Sequence, residues 1–318
     1  MNVLWCTFDR SLRIESYYEE WISNVESIAK VDVLRINTQG VNAGKYRNWI
    51  VEGKIVPENR LNNIDFEKYD FVICEDFISY SSDNWNKIKI PKALYIEDLH
   101  GNGPIQIKLA LKAGCRVIIH KYLRHFKEVI KKMAGTKNTK FIWSPHSVDT
   151  NFFKPYGKKT REVVVLGVAN DVYPMRKQIH RELRNQLFYE RIERPHETAT
   201  KQKKWPVGID YAKVIASAKI CPTGGSIFHY PVAKYFEIPA CGTLLMSDWF
   251  PELGLLGFVP GENMVVLEPG NLVNQMKWWL CHKDELQRVT KNGMKLVQEN
   301  HNSLLRAQQL IGELKKLI

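Results

Sequence analysis

Apolar residues fall into short runs separated by stretches with helical spacing. Residues 1–6 form the first run, followed by 31–36, 71–74, 93–97, 116–120 and 141–143. Between them, 17–29, 105–113 and 124–133 repeat apolar side chains at the spacing of one helix face. Short continuous apolar runs alternating with helical periods predict a parallel sheet with helical crossovers.

The pattern then breaks. Residues 151–161 are polar and contain Pro155 and Gly157, which predicts a domain boundary there. Beyond it, 163–167 is continuous and β-branched, as expected of a central strand. Further strands are predicted at 220–222, 243–247 and 264–267, and helices at 211–218, 230–238, 272–280, 285–299 and 303–317. The chain contains no internal repeat and no low-complexity tract. Two consecutive α/β domains place a ligand at the carboxyl ends of the strands, in a cleft between the domains.

Composition narrows this picture. The 318 residues are 44% hydrophobic, so a folded chain long enough for two cores is expected. The 46 basic and 34 acidic side chains leave a formal charge of +12, which favours anionic partners without choosing among them. Half of that excess lies in 121–140, where Lys121, Arg124, Lys127, Lys131, Lys132, Lys137 and Lys140 face one acid, Glu128. Such a run suits an anionic membrane surface or a charged acceptor, and equally a solvated face. No nucleic-acid-binding motif accompanies it, so nucleic acid is not an expected partner. The six cysteines show no CxxC pairing and read as small buried hydrophobes, so no metal site is expected. No apolar window is long enough to span a membrane, and the expected setting is the cytoplasm, with peripheral membrane contact as an option.

Candidate chemistry concentrates in 221–262. Thr223-Gly224-Gly225-Ser226 is a turn between a predicted strand and a predicted helix, whose backbone N–H groups can hold a phosphate or serve as a capped tight loop. A GxxxxGK motif is missing, and the first strand runs into Thr7-Phe8-Asp9-Arg10 rather than GxGxxG, so neither a P-loop nor the usual dinucleotide site is supported. Glu237 stands eight residues after His229, so a helix starting near His229 would bring both near one face. There Glu237 is either an acceptor for sugar or ribose hydroxyls or a solvated glutamate. In the first half, Asp98-Leu99-His100-Gly101-Asn102-Gly103 follows a strand, with Asp98 and His100 as cleft candidates or Asp98 and Asn102 as helix caps. His120 ends another strand and is a further candidate for the same cleft.

The stretch KYFEIPACGTLLMSD, with PEL and PGEN after it, resembles the donor-site signature of retaining glycosyltransferases with two Rossmann-like domains, the GT-B fold. The wording is closest to the glycosyltransferase group 1 kind and its spore-maturation-protein-like branch. HSVDTNFFKP at 146–155 resembles the phrase that ends the first domain in these enzymes, and Gly167 followed by Tyr173-Pro174-Met175-Arg176 resembles the opening of their donor domain. The resemblance covers 141–306 in wording and 1–140 in architecture alone. It implies an acceptor-side domain at 1–155, a nucleotide-sugar domain at 156–295, and a C-terminal helix in 296–318 crossing back onto the first domain.

The resemblance also implies roles. The family carries two glutamates separated by seven residues; the second, which binds the ribose hydroxyls, matches Glu237, and the first falls at His229. The donor phosphates would lie against Gly167 and the 223–228 loop, including Ser226, Ile227 and Phe228, with Arg176 as the basic contact. Arg176 on a solvated helix face is the plain alternative. The implied activity is transfer of a sugar from a nucleotide sugar, as co-substrate, to an acceptor hydroxyl, with retention and without a metal; the chain has no DxD motif. The acceptor is unspecified, with an anionic or membrane-associated molecule as one option. The alternatives are a binding protein without turnover, and an epimerase or phosphorylase on the same fold.

Overall fold

Strands form where the apolar runs predict them, and each half of the chain builds its own sheet. The structure, a computed structural model, describes residues 1–9, 24–37, 49–51, 54–56, 64–75, 88–96, 99–100, 103–133, 135–192, 206 and 208–318. These residues divide into two units, Met1–Pro145 with Arg306–Ile318, and His146–Leu305.

In the first unit the strands are β1 (Asn2–Asp9), β2 (Lys30–Asn37), β3 (Trp49–Val51), β4 (Lys54–Val56), β5 (Phe71–Glu75), β6 (Lys92–Ile96), β7 (Val117–His120) and β8 (Lys140–Trp143). Their order is β4-β3-β2-β1-β5-β6-β7-β8. All pairings from β2 through β8 are parallel, with Val3 opposite Val31 on one side and Phe71 on the other. The β3–β4 hairpin adds an antiparallel edge that the hydropathy pattern did not predict, because three-residue strands are too short to display a period. Of the predicted helix at 17–29, residues 17–23 lie outside the described residues.

Side-chain alternation splits the core of this unit in two. Leu4, Cys6, Val72, Cys74, Leu94 and Ile118 pack with Ile107 and Ala110 of α1 (Gly103–Lys112) and Phe126 of α2 (Leu123–Lys131). Val3, Trp5, Phe71, Ile73, Tyr95 and Ile119 point the other way, onto Ala307, Leu310, Ile311 and Leu314. Those four sit on the last helix, so the C-terminal segment completes the core of the first unit, as expected.

The second unit carries β9 (Arg161–Leu166), β10 (Tyr189–Ile192), β11 (Ala218–Pro222), β12 (Leu244–Ser247) and β13 (Val265–Val266), all parallel in the order β10-β9-β11-β12-β13. Its helices are α3 (Pro174–Leu183), α4 (Gly208–Ser217), α5 (Lys234–Ala240), α6 (Pro251–Leu255), α7 (Leu272–Cys281) and α8 (Lys283–Asn300); α9 (Ser303–Lys315) then carries the chain back to the first unit. One core face joins Val163, Val165, Ile220, Leu244 and Met246 to Ile179, Leu272, Met276 and Val289. No described helix is long and apolar enough to cross a membrane.

The cysteines and the basic run depart in part from expectation. Five cysteines are buried, but Cys281, at the end of α7, is exposed. Lys121 is buried with its ammonium 5.8 Å from the Tyr95 ring centroid. Arg124 pairs with Glu128, and Lys140 with Glu313. The exposed remainder of the run is Lys127, Lys131, Lys132 and Lys137.

Candidate functional site

Strand order in the second unit reverses around β9, with β10 on one side and β11 on the other. Ligands in open α/β sheets bind at the carboxyl ends of strands beside such a reversal. Gly167 follows β9 there, and the Thr223–Ser226 turn follows β11.

Gly167 has φ +96°, which suits glycine, and its missing side chain is used. A Cβ at Gly167 would sit 3.4 Å from Lys234 Cε and 3.5 Å from Arg176 Nη1. Two cations from α3 and α5 therefore converge on the end of β9. Arg176 is 5% exposed, so the solvated alternative is overturned. Its guanidinium lies 3.9 Å from the centroid of the Tyr173 ring. Among the described residues no carboxylate pairs with it, and its Nε is buried without a hydrogen-bond partner. Burial pulls its pKa below the ordinary arginine value. An isolated buried cation costs several kcal/mol unless a partner offsets it.

Glu237 is buried in α5 and accepts a hydrogen bond from Tyr211 of α4 at 2.9 Å. Burial raises its pKa, against the opposing pull of Lys234, the Tyr211 hydroxyl and Arg176. Lys234 precedes Glu237 by three residues, about one turn, and its ammonium lies 5.4 Å from the Tyr211 ring centroid. Lys234 has no role in the family resemblance, and its spacing to Glu237 within KYFE is the one signal of it in the sequence.

The helix predicted over 230–238 begins only at Lys234. Pro231 disfavours helical geometry at the residue before it, and the chain from Ser226 to Ala233 forms a loop instead. His229 is exposed in that loop with φ +54°, the one non-glycine residue at positive φ among those described. Its ring is 5.6 Å from that of Phe250. His229 and Glu237 therefore do not share a helix.

The turn itself is less open than its glycines suggested. Thr223 N–H donates to Met246 O, Gly225 N–H to Asp248 Oδ1, Ile227 N–H to Val172 O, and Phe228 N–H to Ser226 Oγ. Among the amides from Thr223 to Phe228, those of Gly224 and Ser226 make no hydrogen bond to the described residues. Asp248 Oδ1 also accepts from the Tyr235 hydroxyl at 2.5 Å, so a carboxylate already occupies the anion position at Gly225. Thr223 Oγ1 is buried without a partner. The cluster thus offers an unpaired guanidinium, an ammonium, a buried carboxyl and an orphaned hydroxyl around the carboxyl ends of β9 and β11.

The other candidates belong to the first unit. His100 is exposed after β6, and Asp98 lies outside the described residues. His120 is not a surface group: it is 1% exposed and its Nδ1 is 2.7 Å from Ile96 O. Among the described residues no three His, Cys, Asp or Glu side chains gather as a metal site.

Residues 157–312 match a family model described as glycosyl transferase-like. No curated protein matches. Among solved structures, a sucrose-phosphate synthase from Thermosynechococcus elongatus superimposes with a TM-score of 0.65 at 12% identity, covering 100% of this chain and 99% of that one. The Anabaena protein HepE, solved with UDP and glucose, gives 0.61 at 11% identity over 99% and 100% of the two chains. A glycosyltransferase from Rickettsia africae gives 0.64 at 10% identity over 99% and 98%. The chain therefore has the fold these structures share, two Rossmann-like domains of the GT-B kind.

Proposed function

We propose that this chain is a glycosyltransferase that moves a sugar from a nucleotide sugar to an acceptor hydroxyl, and that the strand-end cluster of the second unit holds the donor. Arg176 carries the reading: a buried guanidinium without a carboxylate partner, beside a side-chain-free Gly167, suits an anion bound from outside. The match of 157–312 to a glycosyl transferase-like model supports the same assignment.

In this reading Glu237 accepts the ribose hydroxyls, with Tyr211 holding its carboxylate. Arg176 and Lys234 face the diphosphate, and the Gly224 and Ser226 amides add donors. As the bond from anomeric carbon to phosphate oxygen breaks, negative charge grows on the leaving diphosphate. Two fixed cations stabilise that charge more than the ground state, which lowers the barrier. They supply this without a metal. His229 faces the sugar, and His100 and Asp98 serve the acceptor side. Retention of configuration belongs to the reading and rests on the resemblance of 231–262.

The test is calorimetric titration with nucleotides and nucleotide sugars, starting with UDP because HepE was solved with it, followed by product analysis with anomer assignment. Saturable donor binding that Arg176→Ala weakens supports the reading. Failure of every nucleotide to bind at millimolar concentration overturns it. The position of His229, where the resemblance calls for glutamate, favours a second reading: a nucleotide-sugar-binding protein without transfer. Binding without turnover for every donor and acceptor offered would select it.

A further inference from the structure

A cavity lies within the second unit, at the amino-terminal ends of its strands. It measures about 500 Å³, inside the range of ligand-binding cavities. Its walls are the chain leading into β9, the start of β11, the turn after α5, and α7 and α8. Leu280, Leu286, Met294 and Pro155 provide apolar lining, while Lys159, Lys219, Lys283 and Lys291 provide charge. No carboxylate lines it. Lys219 pairs with Glu162 at 2.6 Å, but no ion pair forms among the described residues at Lys159, Lys283 or Lys291.

Of these, Lys159 and Lys219 are half-buried, and Lys283 and Lys291 are exposed. The Lys159 ammonium donates to Thr243 Oγ1 at 2.8 Å and to Cys241 O at 3.4 Å. An ammonium has three donor hydrogens, so one remains. Burial lowers its pKa to about 8. Thr290 Oγ1, also on the cavity wall, is buried without a hydrogen-bond partner. An apolar lining with unpaired cations and an orphaned hydroxyl suits a ligand with an apolar body and an anionic head.

We propose that this cavity binds an amphiphilic anion, a carboxylate or phosphate monoester on an alkyl chain, with the head at Lys159 and the tail along Leu280, Leu286 and Met294. The apolar body separates this ligand from a free inorganic anion, and the lysines separate it from a neutral lipid. The cavity lies at the amino-terminal ends of β9 and β11, whereas Gly167 and Arg176 meet at the carboxyl end of β9, so the proposal does not rest on the donor reading.

The probe is dodecyl phosphate below its micelle concentration, titrated calorimetrically into the full chain. Saturable binding of one molecule per chain is expected, unchanged when UDP is present. Inorganic phosphate and the uncharged dodecyl maltoside should each bind at least about tenfold more weakly. Lys159→Met should abolish the preference for the charged head. Because that side chain also holds Cys241 and Thr243, the exposed pair Lys283→Glu/Lys291→Glu provides a second variant, expected to weaken binding about tenfold with the fold intact. Sedimentation with phosphatidylglycerol vesicles separates a bilayer lipid from a soluble acyl anion, and either result supports the site. Equal binding of the neutral detergent, equal binding of inorganic phosphate, or an unaffected double-lysine variant overturns it.

Discussion

The hydroxyl of Tyr211 donates to Oε2 of Glu237 at 2.9 Å, joining α4 to α5 across 26 residues of sequence. That bond stabilises the ionised carboxylate, while burial opposes it and wins, leaving the pKa above its ordinary 4.5. The folded chain therefore holds this proton at pH values where the unfolded chain has released it. This contribution to stability is full below pH 4.5 and is lost as pH rises through the raised value.

Nucleotide binding should run the opposite way. If the carboxylate accepts ribose hydroxyls, affinity rises with pH across the window in which Glu237 ionises. Tyr211→Phe removes a bond to the charged form and should move that window upward. Glu237→Gln should weaken binding by about 1–3 kcal/mol and flatten the profile. Titration of UDP into the three proteins from acid to neutral pH checks this; a common profile would remove Glu237 from the site.

Arg176→Met should separate stability from binding. Replacing an unpaired buried charge with an apolar side chain of similar length is often neutral or stabilising. Thermal melts without ligand should therefore show no loss, while UDP affinity falls about tenfold or more. A destabilised variant that binds UDP normally would make Arg176 a structural residue.

His229 should tolerate glycine better than a branched side chain. Its φ of +54° costs a non-glycine residue about 1–2 kcal/mol. His229→Gly should match or exceed the parent in stability, and His229→Val should fall below it. Because the glycine variant keeps the loop, its turnover with a donor panel reports on the imidazole alone. A marked drop in melting temperature for His229→Gly would show that its packing near Phe250 outweighs the strain.

Gly224 should not accept a side chain. A Cβ there would lie 2.5 Å from Met175 Cβ and 2.9 Å from Met175 Cγ. Gly224→Ala should cost about 1–3 kcal/mol in denaturant titration. Met175→Ala keeps the closer of the two atoms and should not rescue it, whereas Met175→Gly should rescue it in part. Rescue by Met175→Ala would contradict the geometry.

Lys159 should leave a signature at alkaline pH. Its folded value of about 8 lies below the ordinary 10.5. Between those values the unfolded chain binds more protons, so this residue makes stability rise with pH. Subtracting the melting profile of Lys159→Met from that of the parent isolates the effect; a flat difference between pH 8 and 10.5 would show that Lys159 titrates normally.

Short-range pattern in the sequence was sufficient for most of the scaffold. The runs at 71–74, 93–97 and 163–167 are apolar without interruption because both faces of a parallel sheet are covered, so β5, β6 and β9 were legible without a partner in view. Gly167 and Arg176 could be named through the family resemblance, and Glu237 through that resemblance and its spacing from His229, because both signals lie in local wording. What those residues meet is not local. Pairing of Pro222 with Met246 brings the ends of β11 and β12 out together. That register sets Asp248 against the Gly225 amide, 23 residues away, and closes part of a loop whose glycines alone suggested free donors. Burial of Arg176 without a carboxylate, and the meeting of Lys234 with Gly167, likewise depend on α3 and α5 packing at the end of β9. Residue types and their spacing determined the strands, the helices and the candidate chemistry. Only tertiary packing decided which polar groups found partners, because hydrogen bonds and burial are set by neighbours distant in the chain.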